Sequence, residues 1–90
     1  MKPKIYMLAF DPYKTNSTTM HSAVISIPDV GEWWHYLGSA YLVTSNLSAL
    51  EIQNHINARV TGQFILAEII PSNTGGWLPK LAWDWINSKG

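Results

Sequence analysis

The stretch Glu32-Trp33-Trp34-His35-Tyr36-Leu37-Gly38-Ser39-Ala40-Tyr41-Leu42-Val43-Thr44 decides the fold. Its first six residues are rich in aromatics and read as a strand. Gly38-Ser39 reads as a tight turn, and Ala40 to Thr44 as the returning strand of a hairpin. Strand alternation puts Trp33, His35 and Leu37 on one face and Trp34 and Tyr36 on the other. Such a hairpin is apolar on both faces and needs flanking elements to cover it.

Upstream, Ile5 to Phe10 is an apolar run of β-formers. It reads as a buried strand ending near Asp11, because Pro12 has no N–H for a ladder. Tyr13 to Ser17 is a polar loop. Met20, Ala23, Val24 and Ile27 then recur at i, i+3, i+4 and i+7, one face of a helix. Thr18 or Thr19 is the expected cap and Pro28 the stop. Downstream, Ser48-Ala49-Leu50-Glu51 has the capping-box form, and Ala49, Ile52, Ile56 and Val60 continue at helical spacing. Gly62 is the expected helix end. Gln63 to Ile70 reads as a fourth strand terminated by Pro71, and Ser72 to Gly76 as a loop. Leu78, Leu81, Ala82, Trp85 and Ile86 line a final helix with Pro79 in its first turn.

The element order is therefore β-α-β-β-α-β with an added C-terminal helix. That is an α+β, ferredoxin-like βαββαβ sandwich, expected as one domain over residues 1–90. Two helices lie on one sheet face. The other face is left for the terminal helix, a second subunit, or both.

Composition narrows the function classes. The 90 residues carry six Lys/Arg and six Asp/Glu, for zero formal net charge. A basic tail that binds nucleic acid by charge alone is excluded. With 47% hydrophobic residues and five tryptophans, the chain is not a disordered polar segment. Cysteine is absent, which removes disulfides, thiolate catalysis and cysteine metal sites. No run approaches the roughly 18 apolar residues of a membrane span, and Ile5 to Phe10 is too short for a signal-peptide core. A soluble, cytoplasmic protein without a membrane partner is expected.

Three local motifs carry a resemblance. Tyr6-Met7-Leu8-Ala9-Phe10-Asp11 resembles the first strand of virulence-associated protein D ribonucleases and of the small dimeric CRISPR adaptation protein that partners the spacer integrase. Trp33 to Val43, and Gly76-Trp77-Leu78 with Ala82-Trp83-Asp84-Trp85, resemble the small "SinR-like" proteins of the same superfamily. The resemblance implies a ferredoxin-like homodimer. It also implies that the strand-end Asp11 binds a divalent metal, magnesium by its oxygen ligand, near the two-fold axis. Such a metal activates water and stabilises a phosphoryl transition state. Two departures stand out: Pro12 directly follows Asp11, and few basic residues are present to hold a phosphate backbone.

Each candidate has a plainer reading beside it. Asp11 before Pro12 also suits turn initiation, its carboxylate accepting backbone N–H groups. His35 is a candidate general acid or base, or a histidine satisfied at an interface. His21 is a conceivable catalytic partner for Asp11. His55 reads as a surface residue. Trp33, Trp34, Tyr36 and Tyr41 read as core or dimer interface, since the strand holding Tyr41 lacks the basic and glycine residues of an RNA-stacking motif. Trp85 joins the Leu78/Leu81 face, and Trp83 is expected to pack on a partner. Lys2, Lys4 and Lys14 form at most a modest patch, explained as well by solubility.

Two functions are expected from these readings. One is a metal-dependent endoribonuclease, or a nucleic-acid-associated relative, using Asp11, His21 and His35 on RNA or DNA. The other is a non-enzymatic dimer that binds a protein or small ligand through aromatic surfaces, as a regulator or inhibitor in a toxin or defence system.

Overall fold

Residue alternation in the first apolar run builds the centre of the sheet. In the computed structural model, which describes residues 3–89, strand β1 (Lys4–Phe10) buries Tyr6, Leu8 and Phe10 on one face and turns Met7 to the other. Lys2 and the side chain of Tyr36 lie outside the described residues. The chain continues as α1 (Ser17–Ile25), β2 (Val30–Leu37), β3 (Ala40–Ser45), α2 (Ala49–Asn57), β4 (Phe64–Ile69), a 3₁₀ turn (Pro71–Asn73) and α3 (Lys80–Lys89). The sheet order is β2-β3-β1-β4, and every neighbouring pair is antiparallel. The protein is thus an α+β domain with four antiparallel strands and three helices.

Two cores flank this sheet. On one face Tyr6, Leu8, Phe10, Tyr41 and Val43 pack against Met20, Ala23 and Val24 of α1 and Ile52 and Ile56 of α2. The buried phenol of Tyr6 donates to the Leu47 carbonyl at 2.7 Å, which removes the cost of burying it alone. On the other face Ala82 and Ile86 of α3 pack on Trp34 and Leu42, with Ile69, Leu78, Trp83 and Trp85 around them. The terminal helix therefore covers part of the second face within its own chain. Trp83, half-buried, packs against this cluster too. Leu81 is 72% exposed, so it leaves the face assigned to it. Among the described side chains of that helix, Ala82 and Ile86 are the buried ones.

Local signals were right about elements and less so about their ends. The Ser48/Glu51 capping box forms in full. The α1 cap is Asn16, whose Oδ1 accepts the Thr19 N–H at 2.7 Å; Thr18 and Thr19 lie inside the helix. Pro79 stands just before α3, and its carbonyl accepts from Ala82 and Trp83. Trp33 pairs with Val43 and Trp34 with Leu42, but the next pair is Leu37 with Ala40. Strand β2 spends one residue more than β3 across that interval, a bulge. Leu37 consequently turns to the α3 face beside Met7 and Leu42, and does not share the face of Trp33.

Gly62 does not end α2, which stops at Asn57. Its role is close approach: a Cβ there would lie 3.2 Å from the Cβ of Lys14 and nearer still to Thr15 Oγ1. Gly62→Ala should lower stability by about 1–3 kcal/mol, read from the urea midpoint. The loss should shrink in a Thr15→Ala background. An unchanged midpoint would show that the Thr15 loop yields freely.

Candidate functional site

Strands β2 and β3 and helix α1 meet where the first core reaches the β2 edge of the sheet. His21 follows the buried Met20 on α1, so it sits at the margin of the apolar stripe. His21 Nδ1 lies 3.0 Å from the hydroxyl of Tyr41. The phenol donates when that nitrogen is unprotonated and accepts when it carries a proton. His35 comes from β2 and stacks on the ring of the same residue, its centroid 4.0 Å from that of Tyr41 and its plane tilted by 18°. His35 Nε2 donates to the Gly38 carbonyl at 3.2 Å, which ties its tautomer to the hairpin turn. Trp33 meets His21 edge-on at 4.9 Å. Ser17, Thr18, His21, His35 and Tyr41 line an open cleft.

Two imidazoles from separate elements thus converge on one phenol. Each has one nitrogen held, His21 Nδ1 by Tyr41 and His35 Nε2 by Gly38. His21 Nε2 and His35 Nδ1 make no hydrogen bond among the described residues. Burial pushes the Tyr41 phenol above its ordinary value, so it stays a proton-bearing partner at neutral pH. This is chemistry for a positioned acid and base. Sequence reading named both histidines but assigned Tyr41 only to core or interface. Tyr41 is 1% exposed, and nothing in the local pattern marked it as the residue that joins them.

Asp11 lies in a separate set of contacts. Its Oδ1 accepts the Tyr13 N–H at 2.9 Å, and its carbonyl accepts from Lys14 and Thr15 at 3.1 and 3.0 Å. That is the turn-initiating arrangement read for Asp-Pro. The contacts of His21 go to Tyr41 and Trp33, not to Asp11. Among the described residues no group of three or more His, Asp or Glu side chains gathers to hold a metal. One chain offers a single carboxylate at this turn, that of Asp11.

His55 is not a plain surface residue. Ser26 Oγ donates to the Ala23 carbonyl at 2.9 Å, so His55 Nε2 at 3.0 Å donates to Ser26 and ties α2 to the end of α1. Burial first, and the Arg59 charge second, pull its pKa below the ordinary 6.5. A depressed imidazole favours the folded state above pH 6.5, and this contribution is lost as pH falls through the folded value. His55→Gln should therefore flatten the fall of stability below pH 6.5, checked by urea midpoints across pH. An identical slope in both proteins would remove His55 from the acid response.

A second feature lies on the α3 face. An apolar groove of about 180 Å³ is lined by Met7, Trp34, Leu37, Leu42, Trp77 and Leu78, among others. Trp77 stands at its margin and is 99% exposed.

No family model, curated protein or solved structure matches the chain. No helix among the described residues is long and apolar enough to cross a membrane.

Proposed function

We propose that this chain is a ferredoxin-like relative of the nuclease superfamily it resembles, acting on RNA by imidazole acid–base chemistry. The sheet order β2-β3-β1-β4 and its two helical crossovers support the ferredoxin-like assignment. The observation that carries the chemistry is the meeting of His21 and His35 on Tyr41 at an open cleft. One imidazole removes the proton from a ribose 2′-hydroxyl. The new O2′–P bond forms as the P–O5′ bond breaks, and the second imidazole protonates the leaving O5′. The products are a 2′,3′-cyclic phosphate and a free 5′-hydroxyl. Tyr41 orients His21 in the way a third group orients a catalytic base.

A cytoplasmic homodimer and magnesium at Asp11 belong to the same proposal as its alternative arm. With one carboxylate per chain, the metal arm needs Asp11 of a second copy. The test is single-stranded RNA incubated with the protein in EDTA and in Mg²⁺. Cleavage in EDTA with cyclic-phosphate ends supports the imidazole reading. Cleavage only with Mg²⁺, lost in Asp11→Ala, hands the activity to the metal. No cleavage in either condition overturns both.

The second reading is a non-enzymatic module that binds a protein or small ligand, as in toxin or defence systems. The apolar groove beside the exposed Trp77 favours it. Light scattering and Trp77→Ala in a binding screen address that reading.

A further inference from the structure

We infer that Trp33 is a stacking platform for an unpaired base, which makes single-stranded RNA the substrate class of the cleft. The inference rests on the acid–base reading of His21 and His35. Trp33 lies on β2, an edge strand, and is 41% exposed, whereas Tyr41 beside it is 1% exposed. Its indole is in edge contact with His21 at 4.9 Å and lies 6.1 Å from the ring of Tyr41. The ring is thus anchored along one side, and the residue remains exposed to solvent. A base laid on it places its own ribose and phosphate beside His21, because sugar and phosphate lie within about one nucleotide step of the base.

Charge arithmetic supports stacking as the source of affinity. The chain has zero formal net charge, so attraction to phosphates contributes little. The salt-dependent part of binding comes from neutralised phosphates, whereas stacking on an aromatic ring is tolerant of base identity. A base held in a duplex cannot lie on the indole, so the platform selects unpaired strands.

The test uses a fluorescein-labelled hexauridine with 2′-O-methyl riboses, which cannot be cleaved, and its duplex with hexaadenosine. Anisotropy should show single-strand binding that changes little between low and moderate salt, and weaker binding of the duplex. Trp33→Leu should weaken single-strand binding by roughly 5- to 150-fold, and Trp33→Phe should restore most of it. Circular dichroism checks that both variants fold. Equal binding by wild type and Trp33→Leu, tighter binding of the duplex, or no binding by wild type overturns the inference. Binding that depends on Trp33 without cleavage of ordinary RNA retains the platform and removes the acid–base reading. Cleavage that needs His21 but ignores Trp33 does the reverse.

Discussion

His21→Ala and His35→Ala should each lower kcat/KM for RNA cleavage by about 10²–10⁴-fold, the range of a lost general acid or base. Both side chains sit at an open cleft, so circular dichroism and urea midpoints should change far less than activity. The wild-type profile against pH should be bell-shaped, because one histidine must be neutral and the other protonated. Each single variant should lose one limb. The double variant should fall little below the worse single one, since the two act as a unit. Tyr41→Phe keeps the ring beneath His35 but removes the hydroxyl 3.0 Å from His21 Nδ1. It should alter the His21 limb and leave the His35 limb in place. Full activity in either alanine variant would sink the proposed chemistry.

Trp34→Ala should cost about 3–5 kcal/mol, the range for removing a large buried aromatic. Its indole is packed on Leu42, Ala82 and Ile86 and meets Trp85 edge-on at 6.2 Å. It is the centre of the only large contact that α3 makes with the sheet among the described residues. Against a typical total of about 5–15 kcal/mol for a small domain, that loss is severe. Amide exchange should show α3 opening first, while α1 and α2 keep the protection of their separate core. Trp77→Ala, by contrast, should change stability by less than about 0.5 kcal/mol, since the residue is fully exposed in one chain. A large cost for Trp77→Ala would mean that a second copy covers it in solution. Equal midpoints for Trp34→Ala and wild type would mean that α3 is held by something other than this cluster.

The hairpin, both apolar helix faces and the Ser48 capping box were legible in the residues, because each depends on local periodicity or on neighbours within one turn. The order of elements followed from the same signals. The errors cluster where spatial neighbours decide. Gly62 looked like a helix end, yet its lack of a side chain answers to Thr15 across a loop. Leu37 looked like a companion of Trp33 until a bulge in β2 turned it over. Leu81 matched the α3 stripe in spacing, but it stands 72% exposed while Ala82 and Ile86 are the α3 residues buried against the sheet.

The same division holds for the site. His21, His35 and Asp11 were named from residue type and position, which is as far as a one-dimensional pattern reaches. The sequence alone determined an α+β domain of zero net charge with its aromatics grouped near the hairpin and the C-terminus. Tertiary structure alone decided that His21 and His35 meet on Tyr41 and that α3 folds back over its own sheet. The physical reason is sequence separation. His21 stands 20 positions from Tyr41 and 14 from His35, and only the pairing of β3 between β1 and β2, with α1 laid across them, brings the rings into contact.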